Sequence, residues 1–311
     1  MAKPLDAIRF RMDIDADTGS YIHFVELWPG LLLSLNRIHV KYVPCPSFTV
    51  PSIITMNCCI EGRCEAMISD DLYIYMERGL CCLDDRIPLE GFHYPGSLYD
   101  GIELYLDLRL LQHHPIPALE AYGITTDALQ HLLKDGGFCG QLKPETLSMA
   151  TALFERLLRG HTSLETFRFY AMELLFHLLH DGYRPMENAL YATKGQRRIV
   201  NEVEAIITSD LSRRYTISDL AGRYGLADST LKKYFRKVYG MTFTDYLRNK
   251  RLGLATRLLA DTKESIGEIA ARCGYTNQGK FGEVFRREVG QTPLEYRRLH
   301  INETHPTSEE A

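Results

Sequence analysis

The 311-residue sequence contains a single tryptophan, Trp28, and no long hydrophobic run. Stretches such as Leu31-Leu32-Leu33 fall far short of the roughly 20 apolar residues that a membrane-spanning helix needs, so no membrane partner is expected. The start, Met1-Ala2-Lys3-Pro4-Leu5-Asp6, has no basic segment leading into an apolar core, which gives the expectation of a cytoplasmic protein. The patterns G-x-S-x-G, H-E-x-x-H, G-x-G-x-x-G and the Walker loop are missing, and with them the local marks of nucleophilic, zinc-hydrolytic and nucleotide chemistry. A barrel enzyme with a helical scaffold is therefore the rival reading; the expectation is that the chain is not an enzyme and needs no cofactor. Neither C-x2-C nor H-x-H occurs, so no metal site is expected.

Eight cysteines are present, at 45, 58, 59, 64, 81, 82, 139 and 273. Without an export signal they are expected as free thiols in a reducing compartment. Cys58-Cys59-x4-Cys64 and Cys81-Cys82 raise the alternative of a redox or thiol-sensing regulator. Adjacent residues of a strand point to opposite faces, however, so neither pair can readily grip one metal ion. Cys58 and Cys64 would share a face only in an unbroken strand, and Gly62 argues for a turn between them. Small apolar core residues are the plainer role.

Charge is unevenly distributed. Residues 1–195 hold 16 Lys/Arg against 25 Asp/Glu, residues 196–300 hold 20 against 12, and the tail 301–311 adds three glutamates. A basic segment of this size suits a polyanionic partner, although an ordinary basic domain would look the same. The acidic N-terminal part weakly suggests a neutral or cationic ligand.

Short apolar or alternating runs broken by Gly and Pro extend from about 21 to 112, among them Thr49-Val50, Ile53-Ile54-Thr55-Met56, Leu72 to Met76 and Ile102 to Leu106. They predict a β-barrel or sandwich. Helical periodicity follows over about 118–181. Lys143-Pro144-Glu145 opens one helix that ends near Gly160. A second runs from Ser163 to Gly182 with Leu164, Phe167, Ala171, Leu174 and Leu178 spaced 3-4-3-4. That narrow seam suits either a partner helix, and hence a homodimer, or the barrel itself. Residues 183–195, with Pro185, read as a linker between domain 1–182 and domain 196–300; 301–311 reads as a flexible tail. Within the first domain, His23, Trp28, His93, Tyr94 and Tyr99 are candidates to line a small-molecule cavity.

An internal repeat marks the basic segment. At an offset of 50, Phe235, Arg236, Lys237, Gly240, Thr242, Asp245, Tyr246 and Arg248 match Phe285, Arg286, Arg287, Gly290, Thr292, Glu295, Tyr296 and Arg298. Upstream, Leu220-Ala221-x3-Gly225 matches Ile269-Ala270-x3-Gly274 at an offset of 49. Duplication of this extent predicts two copies of one supersecondary unit. Each copy fits a helix-turn-helix: a short helix with a small Ala at the crossing, a glycine turn, then a second helix with buried positions four apart. Leu231 and Phe235 are expected inside the first copy, Phe281 and Phe285 inside the second. The outward faces then carry Ser229, Thr230, Lys232, Lys233, Arg236 and Lys237 in one copy, and Asn277, Gln278, Lys280, Glu283, Arg286 and Arg287 in the other. These residue types bridge base edges and phosphates, with the late arginines and Lys237 better placed for phosphate. Thr242 is expected to cap a connecting helix that runs to about Leu259.

Over roughly Arg197 to Leu299 the sequence resembles the AraC/XylS family of bacterial transcription regulators. The stretch I-A-A-R-C-G-Y-x5-F-x3-F-R-R-x2-G-Q-T-P-L-E-Y-R carries most of the likeness. The resemblance implies an α+β chain in which a cupin-like β-barrel with helices of its own precedes an all-α domain of two helix-turn-helix units joined by a linker helix. It further implies a ligand-responsive activator that binds double-stranded DNA as a dimer, takes a small-molecule effector in the barrel and contacts RNA polymerase.

Overall fold

The computed structural model describes residues 9–44, 53–84, 91–133, 138–160, 162–185 and 191–304. Cys45, the Thr49-Val50 run, residues 186–190 of the expected linker and the tail beyond Thr304 lie outside them. The chain divides into two compact units, Met1–Thr193 and Lys194–Ala311.

Among the described residues the first unit opens with nine strands: β1 (Arg9–Asp15), β2 (Ser20–Trp28), β3 (Leu31–Ile38), β4 (Tyr42–Val43), β5 (Ile53–Ser69), β6 (Leu72–Glu77), β7 (Leu80–Asp84), β8 (Phe92–His93) and β9 (Tyr99–Asp107). Helices α1 (Leu108–His113), α2 (Pro117–Glu120) and α3 (Thr126–Leu133) follow, then β10 (Phe138–Leu142), α4 (Pro144–Arg159), α5 (Leu164–His180), β11 (Tyr183–Pro185) and β12 (Tyr191–Thr193). The main ladder runs β1-β2-β3-β9-β5-β7-β10-β11, while β6, β8, β4 and β12 branch from the far half of β5.

Strand alternation decides which side chains meet the helices. Leu33 and Leu35 of β3, Leu104 and Leu106 of β9, and Met56 and Cys58 of β5 join the main core, together with Leu153 and Leu157 of α4 and Leu174 and Leu178 of α5. β5 shifts register between Cys59 and Glu61 and adopts φ +79° at Gly62. The expected turn at Gly62 is thus a bend inside one continuous strand. The two cysteines flanking it part company: Cys58 enters the main core, Cys64 a second cluster with Tyr94 and Tyr99.

Three expectations change here. Among the described residues the sheet is open, because β1 pairs only with β2 and β11 only with β10. A closed barrel would require the edge strands to meet. The segment expected as a linker contributes β11 and β12, which pair with β10 and β6 respectively. The α5 seam also turns inward: Phe167, Ala171, Leu174 and Leu178 are all buried in the core of their own unit, with Leu164 packed against it. These residues are therefore not a free dimer face; α4, α3 and the sheet of the same unit supply the partner surface that the 3-4 spacing demanded.

The cysteines also depart from expectation. β10 lies antiparallel to β7 with Cys139 opposite Cys82, and a disulfide joins the two with Cα atoms 4.2 Å apart. Separation of 57 residues in sequence concealed a pairing that only the sheet creates. Cys58, Cys59, Cys64, Cys81 and Cys273 are free and buried.

The second unit is helical: α6 (Lys194–Ser209), α7 (Ile217–Gly222), α8 (Asp228–Tyr239), α9 (Phe243–Asp261), α10 (Ile266–Arg272), α11 (Gln278–Val289) and α12 (Pro293–Thr304). The last helix extends into the first four residues of the expected tail. No helix of the described residues is long and apolar enough to cross a membrane.

Candidate nucleic-acid interface

Each copy of the repeat folds into two helices about a glycine turn. Thr216 caps α7 by accepting from the Asp219 amide at 3.1 Å. Ser265 and Glu268 form a reciprocal capping box on α10, which satisfies two otherwise orphaned amide groups. The turns pass through Gly225 at φ +63° and Gly274 at φ +73°, a region that costs a side chain roughly 1–2 kcal/mol. The two glycines nevertheless differ in their surroundings. An added Cβ at Gly225 would meet nothing within 4 Å, whereas at Gly274 it would lie 2.5 Å from the Leu211 carbonyl oxygen.

The second helix of each copy holds its inner face against the first. Leu231 and Phe235 of α8, and Phe281 and Phe285 of α11, are fully buried. Three-and-four spacing then sends the polar residues outward. Ser229, Lys232, Lys233 and Arg236 are exposed, while Thr230 and Lys237 are half-buried. On α11, Asn277, Gln278, Lys280, Glu283, Arg286 and Arg287 are all exposed. The twelve residues form two separate faces, one per helix.

Four of them have local partners that the sequence did not reveal. Asn277 is the N-cap of α11, its side chain accepting from the Lys280 amide at 3.0 Å. Its carboxamide oxygen is therefore committed to the helix, leaving the amino group to face outward. Lys280 pairs with Glu283 at 3.1 Å, both side chains about 70% exposed (67% and 72%). Exposed pairs of this kind are worth about 0–1 kcal/mol, so a phosphate or base could displace Glu283 at little cost. Arg287 similarly leans on Glu288 at 2.6 Å. By contrast, Ala227 at the N-cap of α8 supplies no side-chain cap, and Asp228 places an acidic group in the first turn.

The connecting helix α9 has 19 residues and so spans about 28 Å at 1.5 Å per residue. Thr242 caps it by accepting from the Asp245 amide at 3.1 Å. Its buried residues Phe243, Tyr246 and Leu247 serve the first copy, where Tyr246 stacks edge-on against Phe235 at 5.3 Å. Ala255, Leu258 and Leu259 serve the second copy, packing with Ile269 and Phe281.

Sequence reading missed two structural residues. α6 places Glu204 among buried Val200, Val203 and Ile207, where it accepts from the Tyr246 hydroxyl at 2.8 Å. A carboxylate at an apolar helix position is a readable signal for such a contact. The other is Arg251 of α9, whose acceptors are backbone carbonyls, for which no sequence signal exists.

The five candidate cavity residues do not converge. Tyr94 and Tyr99 are buried with ring centres 5.3 Å apart, and His93 lies tilted against Tyr42 on the neighbouring strand, ring centres 4.9 Å apart. Trp28 instead lies under the Arg168 guanidinium beside the main core. His23 is half-buried on β2, its pKa lowered first by burial and then by Arg9 and Arg11.

This architecture is that of a tandem helix-turn-helix domain. Residues 220–299 match the model of a helix-turn-helix domain family. The HTH-type transcriptional activator RhaR of Yersinia pseudotuberculosis is 32% identical over 130 residues, covering 42% of this chain and 44% of the relative. The RhaR of Mannheimia succiniciproducens is 32% identical over 105 residues, covering 33% and 38%. The DNA-binding domain of AdpA, solved with a target DNA, is 28% identical and aligns with 34% of this chain and 95% of its own, at a TM-score of 0.33. The family match lies within the C-terminal domain. The chain matches less than half the length of these curated relatives.

Proposed function

We propose that the protein is a sequence-specific, ligand-responsive transcription activator that binds double-stranded DNA through α8 and α11. The observation that carries this reading is the pair of equivalent, outward-facing helices on one 19-residue connector. Its length of about 28 Å approaches the 34 Å repeat of major grooves on one side of a duplex. Lys233, Gln278 and Lys280 are the proposed base-reading contacts, with Asn277 offering its amino group. Arg236, Lys237, Arg286 and Arg287, late in their helices, take phosphates. The first unit, 1–182 in this reading, holds the effector. A homodimer addresses two half-sites, and contact with RNA polymerase completes activation in the cytoplasm. The naming of the relatives as activators favours activation over repression.

Selection of bound duplexes from a random library by the full-length chain, followed by titration in increasing salt, tests the reading. Expected is an enriched motif and a log-log slope of about −0.9 per phosphate neutralised. Failure to enrich any motif, with no salt-dependent affinity for any duplex, would overturn it.

A thiol-sensing role is a second reading, favoured by the Cys82–Cys139 disulfide and by the 3.3 Å approach of the Cys58 and Cys81 sulfurs. Against it, burial raises the thiols of Cys59 and Cys64, and Cys58 together with burial raises that of Cys81, which keeps them protonated and unreactive. Equal DNA affinity before and after reduction would exclude it.

A further inference from the structure

The face of the first unit's sheet that turns away from α4 and α5 is not a plain solvent surface. Antiparallel pairing lines up one residue from each strand in a row across it: Phe10, Phe24, Ser34, Glu103, Asn57, Cys82 and Cys139. Directly opposed residues of antiparallel strands project to the same side. The row therefore places one carboxylate, Glu103, near the middle of a sheet face flanked by aromatic rings.

Glu103 is held by hydrogen bonds from three strands. Asn57 donates to its Oε1 at 2.7 Å, the Tyr105 hydroxyl donates to its Oε2, and Asn36 also donates to it. Each holder is itself positioned. The Ser34 hydroxyl donates to Asn36 at 2.9 Å, and the Tyr99 hydroxyl donates to the Asn57 Oδ1. Phe24 and Tyr105 lie with ring centres 6.0 Å apart beside the carboxylate. Tyr99, which holds Asn57, also packs with Tyr94 and Cys64 in the second cluster, on the far side of the β5 bend.

Every one of these groups is neutral. Among the described residues no Lys, Arg or His pairs with Glu103, in contrast to Asp100 three positions earlier in the same strand, which has Arg37 and His39. A charge taken out of water without a counter-charge is costly, and the three donors only partly offset that. Burial correspondingly pushes the Glu103 carboxyl up from its ordinary range. The residue is still half-buried rather than sealed, so a ligand can reach it.

We propose that this face is the effector site and that it takes a small organic cation, an amine or quaternary ammonium on an apolar skeleton. Glu103 supplies the missing counter-charge. The Phe24 and Tyr105 rings present faces that attract cations at about 0.5–2 kcal/mol each. Asn36, Asn57 and Tyr99 fix the carboxylate so that no reorganisation is needed on binding. This deepens the effector reading given above and rests on it; of the five residues named from sequence, Tyr99 and Tyr94 border the site.

The test uses the full-length chain and two matched probe pairs, tyramine with its neutral alcohol tyrosol, and choline with 3,3-dimethylbutanol, followed by calorimetric titration and thermal melting. A cationic member is expected to bind and raise the melting temperature while its neutral partner does not. Glu103→Gln is expected to weaken that binding at least tenfold. The variant should melt no lower than the parent without ligand, since Gln keeps the hydrogen-bonding shape and removes the unpaired charge. Equal binding of the neutral partners, unchanged in Glu103→Gln, would overturn the cation assignment while leaving an effector site in this unit. Binding of the cations that survives Glu103→Gln would place them elsewhere. No response to either member of either pair would overturn the assignment, and a parallel screen of sugars and carboxylates would then show whether the effector reading falls with it.

Discussion

Arg251 donates from Nε to the carbonyl oxygen of Leu211 at 3.0 Å. Its Nη2 reaches the Arg213 carbonyl at 2.9 Å, and its guanidinium lies 5.9 Å from the centre of the Tyr275 ring. One side chain on the connecting helix thus ties the loop before the first helix-turn-helix to the turn of the second. The repeat gives two units and α9 gives their spacing; Arg251 restricts their relative freedom.

Arg251→Met should therefore lower the stability of the C-terminal unit by about 1–3 kcal/mol, the cost of leaving hydrogen-bonded carbonyls without a donor. Urea denaturation followed by circular dichroism measures this. A variant as stable as the parent would show that water satisfies both carbonyls and that the joint is dispensable.

The two turn glycines offer an internal comparison. Gly225→Ala meets open space and bears only the conformational cost of about 1–2 kcal/mol. Gly274→Ala adds a collision with the Leu211 carbonyl and displaces Arg251. Melting temperatures should fall further for the second, and equal losses would indicate that the Arg251 contact yields freely.

On the reading face, Lys280→Ala is expected to cost roughly 1–3 kcal/mol on the selected site and to relax sequence preference at one base pair. Arg286→Ala should weaken specific and random duplexes alike and lower the salt slope by about one. Asn277→Ala removes a helix cap worth about 1 kcal/mol as well as any base contact; Asn277→Asp keeps the cap and isolates the contact. Competition titrations with specific and scrambled duplexes distinguish these outcomes.

Leu174 is 1% exposed. Leu174→Ala should destabilise the first unit by about 2–5 kcal/mol, and Leu174→Glu should unfold it. Loss of a dimer with a fully folded first unit, seen by light scattering and circular dichroism together, would instead return the α5 seam to an interface between subunits.

Acid should loosen the C-terminal unit. The carboxyls of Asp245, Glu268 and Glu295 are all held below their usual range, by Thr242, the Ser265 backbone amide and the Thr292 backbone amide first among their partners. A carboxyl whose pKa is lower folded than unfolded adds stability above the unfolded value, and that stability is lost as pH falls through the folded one. Melting temperature should hold at neutral pH and decline below about pH 4.5, near the unfolded carboxylate range. Replacing Glu268 and Glu295 with Gln should flatten that decline.

What was legible in the sequence were the features with local causes. Gly225, Gly274, Thr242 and the matched Phe positions announce the helix-turn-helix pair because turn geometry, capping and helical period act within a few residues. The outward faces of α8 and α11 followed from the same period. Asn277 was read as a contact because side chains of its type bridge base edges, while its capping role depends on where the helix starts.

The first unit was less legible for the opposite reason. Alternation announced strands, and it announced that Cys81 and Cys82 part to opposite faces. Which strands pair is a long-range choice, and from that choice come the Cys82–Cys139 bond, the open sheet and the burial of the α5 seam. Glu103 shows the limit most plainly. Its sequence neighbours say only that it lies in a strand; the pairing of β3, β9 and β5 places Asn36, Asn57 and Tyr105 around it. The sequence by itself determined the two helix-turn-helix units and their connector, since short-range periodicity and turn chemistry suffice for that. Only the tertiary structure decided what surrounds Glu103 in the acidic half, because a cluster assembled from distant strands exists only once hydrogen-bond register has been chosen.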